Sequence, residues 1–275
     1  QDSTDNNLLV IHFKQLLTKL WGQKNDYIIF PNGIKKIISH HHHDFDNYYQ
    51  QDTYEFLGVF IDIIDQQMDG QITNLFNINE RTFRECHLCR TITHKDESPV
   101  PVLNITVPEI ASNLTVSGLI HGYYSTTDIN VNCDNCSDDT LQNKYHRIKG
   151  YPEILIILLL VFRSDNGVLK KIKYNITIND TIDLSQYSVN PQGNTTYSLI
   201  CVCNHIGISP KQGHYISHCL NYTNNKWYEY SDATVNPCSK PTVSKNCYML
   251  FYKKNPDQMG GSKDESAKPE EYTFF

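Results

Sequence analysis

Apolar residues recur at helical spacing near the start of the chain. Leu9, Phe13, Leu16, Leu17 and Leu20 fall on one face, with Asn6 or Asn7 available as a cap. Pro31-Asn32-Gly33 has the chemistry of a turn, and the histidines His40, His41, His42 and His43 read as a solvated low-complexity loop. A second helix carries Phe56, Leu57, Phe60, Ile63, Ile64 and Met68 on one face. Asp52 is placed to cap it and Glu55 to complete a capping box. From about Thr82 the period changes. The segment from Cys86 to Cys136, with alternation at Leu103 to Val107 and breaks at Pro99, Pro101 and Pro108, reads as an extended β insertion. Pro152 introduces the longest apolar run, Ile154 to Val161 and on to Phe162, the pattern of a strand buried on both faces. Further strands are predicted at Ile172 to Ile178, Tyr197 to His205, His214 to Tyr222, Lys226 to Tyr230 and Cys247 to Tyr252. Helices first and strands afterwards predict an α+β fold with a largely antiparallel sheet. From Asn255 to Phe275 the chain has Gly260-Gly261, mixed charge and few apolar residues, and a disordered tail is expected there.

Composition narrows the class. The 275 residues suit one large domain or two modest ones, and 39% hydrophobic with 20% charged residues describes a soluble globular chain. A net charge of −6 argues against nucleic acid as partner and suits a basic peptide or tail. The apolar run is too short to cross a bilayer and no signal peptide is visible, so no membrane partner is expected. The cysteines number nine, an odd count with four in C-x-x-C pairs. That favours metal and reduced thiols in a reducing compartment, cytoplasm or nucleus, over a disulfide framework. The sequons at Asn104, Asn113, Asn175 and Asn194 are read as chance in an Asn- and Thr-rich chain. The chain opens on Gln1 rather than Met, which suggests a fragment with sequence upstream.

Two places carry candidate chemistry. Cys86, Cys89, Cys133 and Cys136 form two C-x-x-C pairs, which together can close a four-sulfur zinc site. Such a site has no open position, so the metal would hold structure. The 43 residues between the pairs exceed the common ribbon spacing, and unmetallated structural thiols are the competing reading. His214 follows Gly213 and precedes Tyr215 at the start of a predicted strand. A hairpin to the strand ending in Ser231-Asp232 would bring an orienting oxygen to the imidazole, while the second ring nitrogen accepts a proton from a nucleophile. A structural histidine is the competing reading. Cys201, Cys203, Cys219, Cys238 and Cys247 read as buried or inert thiols, with Cys219 on the opposite strand face from His214.

Five motifs in order resemble the catalytic domain of the ubiquitin-specific proteases, papain-like cysteine deubiquitinases built as thumb, palm and fingers. Gln51-Asp52-Thr53-Tyr54-Glu55-Phe56-Leu57 is similar to the family's Q-D-A-x-E-F-L, and the paired C-x-x-C motifs resemble its fingertip zinc site. Pro152 to Phe162 resembles L-P-x-x-L-x-x-x-L-x-R-F, with Val161 where the arginine stands. Gly213-His214-Tyr215 with Trp227 to Val235 resembles the histidine box, and Cys247 to Tyr252 the closing A-Y-x-L-x-Y strand. The resemblance implies one catalytic domain over residues 1–254, with a thumb to about 75, fingers over 80–150 and the remainder palm. It implies hydrolysis of the isopeptide or peptide bond after ubiquitin's C-terminal glycine, with ubiquitin or ubiquitinated proteins as partners and structural zinc. His214 would activate a cysteine, Ser231 would orient His214 and Asp232 would assist. Asp52, Glu55, Gln51, Gly213 and Tyr215 would meet the basic ubiquitin tail, Asp52 while also capping its helix and Glu55 with capping as its competing role. Two departures stand out. The family's G-N-T-C-Y-x-N-S box, which holds the nucleophile and an oxyanion asparagine and belongs upstream of Leu8, is not in the sequence; serine replaces the usual Asp or Asn at the third triad position. A catalytically inactive ubiquitin-binding relative is therefore the alternative expectation.

Overall fold

The computed structural model describes residues 8–22, 29–109, 113–165, 168–191, 193–209 and 212–257. Helices Leu8–Gly22, Asn32–His41 and Thr53–Gln67 pack around Leu9, Ile34, Ile38, Phe45, Ile63 and Ile64, a small core of their own. The first helix buries only its early turns, and Leu20 is 55% exposed. The third helix is buried on two sides: Phe60, Ile63 and Ile64 face the helical core, while Leu57 and Ile61 enter the core of the main sheet. Asp52 caps it as expected, with Oδ1 accepting from the Tyr54 N–H at 2.7 Å and the Glu55 N–H at 3.3 Å.

Several expectations need correction. Pro31-Asn32-Gly33 opens a helix instead of forming a turn, and His40 and His41 are its last residues. Gly33 is there for space, because a Cβ on it would lie 2.5 Å from His12 Nδ1 on the neighbouring helix. Within the presumed β insertion, Val116–Tyr124 is helical, capped by the Thr115 hydroxyl on the Gly118 N–H. Of Ile172 to Ile178, only Ile176–Thr177 is a strand.

A four-stranded antiparallel arm runs in the order Ile92–Asp96, Asn79–Cys86, Asp138–Gly150, Thr127–Cys133. The main sheet has the order Thr234–Cys238, Lys226–Ser231, Gln212–Asn221, Thr196–Ser209, Cys247–Lys254, Ile154–Leu160, Leu103–Thr106. Every pair in that path is antiparallel except the last, where Leu103–Thr106 runs parallel to Ile154–Leu160. Leu103 to Val107 thus belongs to the main sheet and not to the arm. The apolar run Ile154–Leu160 is buried from Leu155 to Leu159, as a strand covered on both faces should be. Residues 255–257, expected to begin a disordered tail, are pinned instead. The Asn255 N–H donates to the Thr196 carbonyl, and Asp257 Oδ1 accepts from the Asn194 N–H. The rest of the predicted tail lies outside the described residues.

Candidate functional site

The histidine strand Gln212–Asn221 lies between Thr196–Ser209 and Lys226–Ser231, so cross-strand pairing decides what reaches His214. Ser231 ends the neighbouring strand, and its Oγ lies 2.7 Å from His214 Nε2. With Nε2 held by the hydroxyl, Nδ1 is the nitrogen left to exchange a proton with a nucleophile. Asp232 occupies the two-residue hairpin turn with φ 49°, a left-handed conformation that Asp tolerates. It is exposed, and the imidazole's hydrogen bond goes to Ser231 instead. The structure thus joins His214 to Ser231 and leaves Asp232 one residue beyond.

Gly213 sits where two parts of the molecule meet. A Cβ there would come within 2.5 Å of His205 Nε2 and 2.6 Å of the Ile206 carbonyl oxygen. Its N–H donates to Gln50 Oε1 at 2.9 Å, which ties the hairpin to the chain just before the third helix. This residue, not Gln51, makes the bridge; Gln51 Nε2 donates to the Asp44 carbonyl. Asp52 is 4% exposed and uses both carboxylate oxygens. Oδ1 caps the helix, and Oδ2 accepts from the Tyr248 hydroxyl at 2.7 Å. Glu55, in the first turn of the same helix, is exposed. Tyr215 and Asp52 line a cavity of about 410 Å³ between helix and sheet, together with Ile34, Phe45, Gln51 and Phe56.

Beneath Gly213 lies a histidine that pattern reading passed over. His205 is 0% exposed and packs its ring 4.7 Å from Tyr215, with Phe162 and Tyr248 close by. Burial, with the Lys171 ammonium beside it, lowers its pKa to about 4. Lys171 Nζ donates to the His205 carbonyl oxygen. His205 and Tyr248 were legible as strand residues, Tyr248 within the closing-strand motif, but their part here and that of Gln50 were not, because each acts through contacts distant in sequence.

At the arm's far end the two C-x-x-C turns are built alike. The Arg90 N–H donates to the Cys86 carbonyl and the Ser137 N–H to the Cys133 carbonyl, and both Arg90 and Ser137 have positive φ. All four sulfurs lie within 4.8 Å of one another, with Cys86–Cys136 at 3.9 Å and Cys89–Cys133 at 3.7 Å. A tetrahedron with sulfurs about 2.3 Å from its centre has edges of about 3.8 Å. The Thr91 hydroxyl pulls the Cys89 thiol down to about 5, and contact with Cys89 pushes Cys136 up to about 12. Four sulfurs this close do not all ionise without a cation, so the donor set and its geometry fit a metal ion. Among the described residues it is the one such cluster, and the histidine run at 40–43 forms none.

The other thiols divide. Burial pushes Cys203 up to about 12 and raises Cys247 well beyond the thiol range, as inert core residues require. Cys201 and Cys219 are only half-buried and lie 3.1 Å apart, which the expectation of inert thiols did not foresee.

The family model described as ubiquitin carboxyl-terminal hydrolase matches residues 1–252. The chain is 24% identical over 289 residues to ubiquitin carboxyl-terminal hydrolase Usp2 of Drosophila melanogaster, covering 92% of this chain and 31% of that protein. It is 26% identical over 249 residues to probable ubiquitin carboxyl-terminal hydrolase 16 of Schizosaccharomyces pombe, covering 85% and 54%. The chain thus spans about a third to a half of the length of these curated relatives. Among solved structures, the SAGA Ubp8/Sgf11/Sus1/Sgf73 DUB module bound to ubiquitin aldehyde superposes with a TM-score of 0.79 at 18% identity, covering 92% of this chain and 60% of that one. That likeness establishes the fold.

Proposed function

The chain belongs to the ubiquitin carboxyl-terminal hydrolase family, and from that premise we propose that it supplies the acid–base half of a thiol-dependent deubiquitinase site. The observation that carries this reading is the 2.7 Å contact between His214 Nε2 and Ser231 Oγ, with His214 one residue along the strand from Tyr215, which lines the cleft between helix and sheet. In the reaction, His214 Nδ1 takes the proton of an attacking thiol. The thiolate adds to the carbonyl of ubiquitin's C-terminal glycine, and the imidazolium returns the proton to the leaving amine. Water then releases the acyl group by the same route in reverse roles. The Ser231 hydroxyl accepts the imidazole N–H and fixes the ring, without the charge that a carboxylate would bring.

No cysteine of the sequence suits the nucleophile's place. Four stand at the arm tip, Cys201, Cys203 and Cys219 lie on the strand face opposite His214, Cys247 is fully buried, and Cys238 pairs with Trp227 on the far side of the Ser231 strand. In this reading the thiol comes from upstream of Gln1. The basic ubiquitin tail would enter past Gly213 and Tyr215, with exposed Glu55 as its carboxylate contact; Asp52 braces the cleft because both its oxygens are engaged. The helices Leu8–Gly22, Asn32–His41 and Thr53–Gln67 would serve as thumb, the arm as fingers and the main sheet as palm. Cys86, Cys89, Cys133 and Cys136 would hold a zinc ion that ties the arm's tip and takes no part in the chemistry.

The test uses the full-length protein with its upstream segment and a ubiquitin carrying a C-terminal electrophile. The protein should be labelled, and His214→Ala should lower turnover of a ubiquitin conjugate by at least about 10³-fold. Unchanged turnover in that variant refutes the reading.

A further inference from the structure

Cys201 and Cys219 face each other as registered partners across the antiparallel strands Thr196–Ser209 and Gln212–Asn221. Their sulfurs lie 3.1 Å apart, both residues are half-buried, and neither belongs to the cluster at the arm tip. Residues directly opposed in an antiparallel pair have Cα atoms about 4.5–5.5 Å apart. That separation falls inside the range a disulfide spans, so the sulfurs need only close by about 1 Å to reach bonding distance, with no parting of the strands. Cys219 sits five residues from His214, on the other face of the sheet, and has no place in the hydrolysis described above.

We propose that Cys201 and Cys219 form a modification site, a cross-strand dithiol that a peroxide oxidises to an intramolecular disulfide. The Cys219 thiolate attacks a peroxide oxygen and breaks the O–O bond, giving a sulfenic acid and, after protonation, water. The Cys201 sulfur then attacks the Cys219 sulfur and displaces hydroxide, which leaves as water with the Cys201 proton. The two thiols lose two electrons and two protons, and hydrogen peroxide is reduced to two waters. The order of events follows from the pair's asymmetry. The contact with Cys201 lowers the Cys219 pKa, whereas Cys201 is pushed up by its contact with Cys219 and by burial. Cys203 and Cys247, the nearest other thiols, are buried and held protonated, which makes them poor competitors.

The experiment reads the chain itself and needs no ubiquitin, so its outcome is independent of the proposed hydrolysis. Purified protein is treated with hydrogen peroxide, blocked with a maleimide, digested and mapped by mass spectrometry. The expected product is a peptide pair joined through Cys201 and Cys219, lighter by two hydrogens, lost on dithiothreitol treatment and equally formed in His214→Ala. Cys201→Ser should remove the cross-link and leave a trappable sulfenic acid on Cys219. Maleimide on both cysteines after oxidation of other thiols, or sulfinic acid at Cys219 with no joined peptide, would overturn the proposal. The wild-type map alone decides between these outcomes should the variant fail to fold.

Discussion

A serine hydroxyl 2.7 Å from His214 Nε2 can orient the ring, but unlike a carboxylate it would offer an imidazolium no counter-charge. Ser231→Ala should therefore cost about one neutral hydrogen bond, on the order of 1 kcal/mol, and lower kcat about fivefold with little change in KM. Restoration of the rate by Ser231→Asp would confirm an orienting role; wild-type kcat in the alanine variant would exclude it. His205 carries a different consequence. Its folded pKa, about 4, lies below its unfolded value near 6.5, so the unfolded chain binds the extra proton between those limits. Stability from this group is complete above about pH 6.5 and drains away as pH falls towards 4. Denaturant midpoints measured across that window should fall with acid, and His205→Phe should flatten the slope; an unchanged slope would place the acid sensitivity elsewhere. The sequence exposed His214 and Ser231 because a strand start and a strand end bear recognisable residues. It concealed Gln50, His205 and Tyr248, whose roles arise only where the hairpin, the helix cap and the closing strand converge.

Among the elements, legibility followed the strength of local signals. Thr53–Gln67 was plain because a capping aspartate precedes a long apolar face. Asn32–His41 was misread since Pro-Asn-Gly ordinarily turns the chain, and only the crowding of His12 against Gly33 explains a glycine near a helix start. Val116–Tyr124 is short and holds aromatic and β-branched residues, which hides a helix from pattern reading; the Thr115 cap and the burial of Val116, Leu119 and Ile120 hold it helical. The run Ile154–Leu160 was unmistakable. Ile157, 0% exposed at its centre, should cost about 2–5 kcal/mol on replacement by alanine, through lost transfer energy and a cavity that rigid neighbours cannot fill. Urea titration checks this, and a loss below about 1 kcal/mol would mean the strand is less tightly enclosed than described.

At the scale of the molecule, the helix Thr53–Gln67 contributes to both cores, and the arm projects from the sheet under its own hydrogen bonds. The expected order of helices, insertion and sheet could be read because motifs occurred in sequence. The route of the chain inside the insertion could not, since a parallel strand such as Leu103–Thr106 has a partner about fifty positions away and no local cue to its direction. The arm's tip should depend on metal. Purified protein should contain close to one zinc per chain, and chelation should accelerate hydrogen exchange first at Cys86, Cys133 and their strands while Ile154–Leu160 stays protected. Absence of zinc from the native protein would refute the metal assignment.

Between the arm's two middle strands the chain returns to the body twice over. Leu103–Thr106 joins the edge of the main sheet, and Tyr123 and Tyr124 from the following helix donate their hydroxyls to Glu80 at the arm's root. The arm is stitched into its foundation instead of being plugged onto it. A chimera that exchanged everything between Asn79 and Gly150 for the same region of a relative would import a foreign border strand and a foreign buried helix along with the new tip. Transplants confined to the two knuckles and the strand ends beside them are the ones this architecture can accept.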